Sequence, residues 1–237
     1  MQPCNSYVCV DLETTGFYPR YDKIIEIGAV RVENGIVTGE FKSLVNPGMK
    51  LWEQTIAITG ITNEMLEEAP DITEVFPEFL KFAGEQVLLG HSLMSDYSFL
   101  KKAAVNQNLS FERSGIDTLT LSRKFLADFQ SRNLGKLCEH FEIPHEAHRA
   151  LGDAKATSAL YTILCDHFYR EDTARDFDAK PLIYKIKKEG PASRAQKERL
   201  YSLAERHKLE LNVDVEKLTR NEASRLTDRI LARYGKG

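Results

Sequence analysis

Residues 23–45, KIIEIGAVRVENGIVTGEFKSLV, carry two β-branched runs on either side of an Asn34-Gly35 pair. Asn-Gly suits the two positive-φ positions of a tight turn whose twist matches the strands it joins, so the stretch predicts an antiparallel hairpin. SYVCVD, residues 6–11, is a further β-rich run just upstream, and the chain therefore opens with three consecutive strands. Residues 63–83 then read as helical with Asp71 as a cap, and QVLLGH, 86–91, reads as an apolar strand. Phe99, Leu100, Ala103 and Ala104 recur at helical spacing within 95–107, residues 115–119 form a short strand candidate, and the chain to about residue 170 reads as helices. A meander followed by strands alternating with helices predicts an α/β fold, a mixed sheet flanked by helices.

The same reading divides the chain into a catalytic domain over 1–170, a linker over 171–192 and a small two-helix module over 193–237. The linker is polar, lacks a clean period and contains Pro181 and Gly190-Pro191. Beyond it, Ser193-x-x-Gln196 and Thr219-x-x-Glu222 match the capping-box pattern ahead of helical repeats of Leu200, Leu203 and Ala204 and of Ala223, Leu226 and Ile230. The overall charge of −3 conceals an asymmetry, because residues 185–237 carry 14 Lys and Arg against 8 Asp and Glu, a surplus of six. The remainder is acidic by nine charges. An acidic body with a basic tail fits a carboxylate site joined to something that attracts polyanions, or a helical pair that packs on the body with its cations solvated.

With 42% hydrophobic and 28% charged residues, the composition is that of an ordinary globular protein. No run approaches the roughly 20 apolar residues of a membrane span, and the first residues, MQPCNSYVCVD, lack the pattern of a secretory signal, so a cytoplasmic protein without membrane association is expected. Cys4, Cys9, Cys138 and Cys165 have no zinc-ligand spacing and are expected to be reduced thiols.

The chemistry concentrates in three acidic clusters. In DLETTG, Asp11 and Glu13 are two residues apart at the end of a strand and so project from one face. Asp96, in GHSLMSDYSFL, falls in the first turn of the helix that follows an apolar strand. His148 and Asp153, in HRALGDAKATSALY, are five residues apart, about 140° from a common helical face. His148 is therefore expected in the loop before a helix and Asp153 in that helix's first two turns. Converging carboxylates are the donors a hard cation such as magnesium takes.

In this order the segments resemble the three exonuclease motifs of the DEDDh 3′→5′ exonucleases, the family of the DNA polymerase III epsilon subunit and of the PolC-type exonuclease domain. The resemblance covers about residues 5–170, and TIAITGIT (55–62), IDTLTLSRKF (116–125) and LGKLCEHFEI (134–143) look like the family's linking segments. It implies a ribonuclease-H-like fold and catalysis with two divalent cations, Mg²⁺ or Mn²⁺. Asp11 would bridge both, Glu13 and Asp153 would serve the cation on the nucleophile's side, and Asp96 the cation on the leaving-group side. His148 would be the general base, a task its side chain suits near neutral pH. Thr14, Thr15 and Ile61 are implied contacts of the terminal nucleotide. Among the other candidates, His145 reads as a surface loop residue, His91 as packed at a strand end, and Asp117 as structural.

The implied substrate is the 3′ end of a single-stranded or frayed nucleic acid, DNA in the leading reading, with a replication or repair polymerase as a possible partner. Exonucleolytic trimming of short RNA is the alternative of the same chemistry, since sugar choice rests on a few contacts to a 2′-hydroxyl. An inactive nucleic-acid-binding module is the alternative from another class.

Overall fold

A computed structural model describes residues 2–145, 147–211 and 213–235. In chain order its elements are β1 (Tyr7–Thr14), β2 (Ile24–Glu33), β3 (Ile36–Leu44), α1 (Glu53–Thr59), α2 (Asn63–Glu67), α3 (Ile72–Ala83), β4 (Val87–Gly90), α4 (Leu93–Asn106), β5 (Ser114–Asp117), α5 (Thr118–Phe125), α6 (Leu134–His140), α7 (Ala150–Phe168), β6 (Lys180–Pro181), α8 (Arg194–His207) and α9 (Arg220–Tyr234). The strands form one sheet in the order β3-β2-β1-β4-β5-β6. β2 and β3 form the antiparallel hairpin expected of the Asn-Gly pair, whose residues take φ of 54° and 78°. β1 runs antiparallel to β2 and parallel to β4, β4 parallel to β5, and the two-residue β6 closes the far edge antiparallel to β5.

β1 lies between β2 and β4, and both of its faces are covered. Val8, Val10 and Leu12 pack with Phe76 and Phe79 of α3 and Leu100 of α4, whereas Tyr7 and Cys9 pack with Leu160, Tyr161 and Leu164 of α7. Strand alternation thus sends even-numbered residues to one helical layer and odd-numbered residues to the other. Asp11 and Glu13 continue the odd register toward α7.

The structure adds detail to three expectations. The stretch 63–83, read as helical with Asp71 as a cap, is two helices: Pro70 cannot continue the first, and Asp71 caps α3 as read, accepting a hydrogen bond from the Thr73 N–H. TIAITGIT, 55–62, read only as a linking segment, begins inside a helix, α1, which is closed by Gly60 in the left-handed region at φ 66°. Residues 174–182, placed in the linker, include the edge strand β6 and pack on the elements before them: Phe177 is buried against Phe125 and Tyr169, and the Leu182 N–H donates to the Arg113 carbonyl. Their irregular backbone gives no period, so only the isolated apolar side chains could have marked them.

Both capping boxes form as the pattern predicts, and the two C-terminal helices enclose a small core of their own around Leu200, Leu203, Val215 and Ile230. The four cysteines are free thiols. Among the described residues no helix is long and apolar enough to cross a membrane.

Candidate active site

The site lies where β1, β4 and β5 end. β1 pairs Asp11 with Gly28 and Glu13 with Glu26 of β2, so these four positions share the face that receives α7. At Gly28 the start of α7 presses directly on the sheet, and a Cβ there would lie 2.0 Å from the Leu151 nitrogen. Glu26, fully buried, accepts from the Arg149 guanidinium at 2.8 Å and from the Ala150 N–H at 3.0 Å. The glycine admits the helix and the glutamate pins its first turn, which brings Asp153 down onto Asp11 and Glu13.

Asp11, Glu13 and Asp153 each present a carboxylate oxygen within 4.8 Å of the others. Asp96 enters from the start of α4 and stands outside this trio, yet its charge is felt there. Burial and then the charges of Asp96 and Asp153 hold the Asp11 carboxyl well above the ordinary range. Burial and the charge of Glu13 do the same to Asp96, partly offset by backbone N–H groups. For Glu13, burial followed by Asp153 and Glu26 pushes the carboxyl up to about 7, against the pull of Arg149. Crowded carboxylates of hard oxygen donors, each resisting ionisation, fit a divalent cation.

This crowding has a measurable sign. A carboxyl raised in the fold stabilises the protein at low pH, and that contribution is lost as pH rises through the folded value, here about 7 for Glu13. Cation binding requires the ionised form, so it should relieve the repulsion most where the carboxyls have lost their protons. Millimolar Mg²⁺ is therefore expected to raise the melting temperature, by more at pH 8 than at pH 6. Equal shifts at both pH values would contradict the assignment of these carboxyls.

The remaining candidates are placed as follows. Thr15 is buried and its hydroxyl accepts from the Lys23 N–H at 3.0 Å, while the Thr14 hydroxyl donates to the Gly16 carbonyl at 2.7 Å; both residues line the groove beside Glu13. Ile61, expected against a terminal base, is instead fully buried with Ile25, Leu51 and Leu66, because the turn after α1 directs it inward. The apolar groove surface comes from Phe17, Trp52 and Ile58, all exposed. Asp117 is structural, capping α5 through the Leu119 N–H and holding the Ser92 N–H, each at 2.9 Å. His91 ties the end of β4 to Thr118 and to the Arg132 carbonyl.

His148 occupies the turn before α7, exposed and with φ 62°. His145, read as a surface residue, departs from expectation: its side chain is only 11% exposed, and Nε2 contacts Asp153 Oδ1. Spacing within the motif could not reveal this contact, which depends on how the loop folds back. Glu26, also missed, did leave a signal, since a lone charge in the apolar run IIEIGAV has to find a partner once the strand is buried.

A mixed sheet of this order flanked by helices is a ribonuclease-H-like fold, with carboxylates gathered at the ends of its central strands. Within it the chain belongs to the exonuclease family, whose RNase_T sequence model matches residues 8–161. It is 36% identical over 166 residues to the DNA polymerase III subunit epsilon of Aquifex aeolicus, covering 69% of this chain and 82% of that protein. It is 41% identical over 157 residues to the PolC-type DNA polymerase III of Caldanaerobacter subterraneus, which covers 65% of this chain but 11% of the polymerase. Among solved structures, E. coli exonuclease I in complex with a dA16 oligonucleotide shares the fold, with a TM-score of 0.64 and 20% identity over 73% of this chain and 43% of the other.

Proposed function

We propose that this chain is a 3′→5′ exonuclease that removes nucleotides from the 3′ ends of single-stranded or frayed DNA, as a cytoplasmic partner of a replication or repair polymerase. The observation that carries the reading is the trio of carboxylates within 4.8 Å, Asp11, Glu13 and Asp153. It stands beside a groove of about 1050 Å³ that Glu13 and Asp96 help to line. Direction and substrate are supported by the similarity to an epsilon subunit along most of that protein's length.

The trio and Asp96 would hold two divalent cations, Mg²⁺ or Mn²⁺, which when bound supply Lewis acidity toward phosphate oxygens. The Thr14-Thr15 turn orients the terminal nucleotide beside them. The apolar side chains of the groove limit water around the scissile bond. His148 accepts the proton of the attacking water, from a position that Glu26 fixes by pinning the adjacent helix start. His145 steadies Asp153. The contact between His145 and Asp153 also favours a second reading in which His145 is the base. Replacing the two separately decides: His148→Ala should lower kcat by ~10²–10⁴-fold, the worth of a general base, and His145→Ala much less. The reverse order would assign the base to His145.

The activity itself is tested with 5′-labelled DNA and RNA strands of one sequence in Mg²⁺. The expected result is a ladder shortened stepwise from the 3′ end, formed faster on DNA. Undiminished hydrolysis in excess chelator, or internal cuts alone, would refute it.

A further inference from the structure

The groove that reaches the carboxylates has a second wall, and the C-terminal module supplies it. α9 docks against the loop that follows β1: Glu222 pairs with Lys23 at 3.0 Å, and Arg225 donates to the buried Asp22 at 3.3 Å. One turn further along each time, Arg229 and Arg233 follow Arg225 on the same face, and both line the groove. Among the described residues, no carboxylate oxygen lies within 4.0 Å of either guanidinium, whereas Arg225 has its partner in Asp22. Arg229 instead lies 5.2 Å from the centre of the Trp52 ring, and Arg233 5.5 Å from that of Tyr234. Trp52 and Tyr234 remain 46% and 43% exposed, and both line the same groove.

Exposed aromatic rings interleaved with cations form the surface on which single-stranded nucleic acid binds, with bases stacking on the rings and phosphates meeting the guanidinium groups. The carboxylates at one end repel a polyanion unless cations cover them, so the arginines give the remainder of the groove the opposite sign. We infer that α9 completes the substrate channel, with Arg229, Arg233, Trp52 and Tyr234 holding the nucleotides of a single strand that precede the terminal one. This rests on the exonuclease reading for which strand end enters, but not for whether the wall binds the strand. The module is thus part of the substrate site of the catalytic domain, and it sets the length of strand the enzyme grips.

The test uses the full chain and 5′-labelled oligothymidylates of 3 and 12 nucleotides, with affinity followed by fluorescence anisotropy in EDTA across a salt series. The double substitution Arg229→Glu and Arg233→Glu should weaken binding of the 12-mer by about tenfold or more, a loss of about 1.4 kcal/mol or more. It should leave the 3-mer within about twofold. It should also flatten the dependence of log affinity on log salt for the 12-mer, by roughly 0.7 for each phosphate contact removed. Trp52→Ala, which adds no repelling charge, should lower 12-mer affinity without changing the salt slope. Unchanged 12-mer affinity and slope in the folded double variant, or equal losses for both lengths, would overturn the inference. Failure of the wild-type protein to shorten any strand in Mg²⁺ would refute the exonuclease reading alone, because the anisotropy measurement involves no hydrolysis.

Discussion

Asp11→Ala is expected to abolish hydrolysis to within assay sensitivity. Among the described residues, Asp11 is the acidic side chain raised by the charges of Asp96, Asp153 and Glu13 together, at the electrical centre of the site. Its loss would remove one of the three carboxylates that could hold a cation. Cation stabilisation of a phosphoryl transition state is worth several kcal/mol, and three orders of magnitude correspond to about 4 kcal/mol. Asp153→Ala should behave alike. Because Asp11 is repelled by its neighbours in the cation-free protein, Asp11→Ala should leave the melting temperature in EDTA unchanged or higher, whereas Asp153→Ala also loses the contact with His145; both should remove the rise caused by Mg²⁺. Retention of more than about a tenth of the wild-type rate would exclude Asp11 from the centre.

Glu26→Ala should be strongly destabilising. It deletes the fully buried carboxylate that accepts from Arg149 and from the Ala150 N–H. Breaking a buried ion pair by removing one partner costs about 3–5 kcal/mol. For a chain of this size each kcal/mol lowers the melting temperature by roughly 2–4 °C, so a fall of about 10 °C is expected by calorimetry. The variant should also bind Mg²⁺ more weakly, since the first turn of α7 carries Asp153. A shift below about 2 °C with intact activity would show that Gly28 alone seats the helix.

The sequence exposed those parts of the site that depend on local rules. The Asn34-Gly35 pair needs positive φ at both positions and obtains it, and the two-residue period places Asp11 and Glu13 on one face whatever else surrounds them. His148 before a helix and Asp153 inside it likewise follow from their spacing. What escaped depends on contacts distant in sequence. Ile61 looks the same whether it faces a substrate or Ile25, and only the packing of the turn after α1 decides. The contact of His145 with Asp153 depends on the path of a loop, and that of Arg229 with Trp52 joins two segments 177 residues apart.

That dependence on distant contacts has a temporal side. Asp11 and Glu13 leave the ribosome on β1, but Asp153 follows on α7 some 140 residues later, and the Glu26 anchor joins positions 123 residues apart. Bringing such remote segments together carries the entropy of closing a long loop before any contact rewards it. A nascent chain that has made the hairpin but not yet α7 therefore holds two of the trio's three carboxylates and nothing to set against them. Hydrolytic competence should therefore switch on in one step when the last long helix of the catalytic domain docks, and a chain short of that step should cut no nucleic acid nearby.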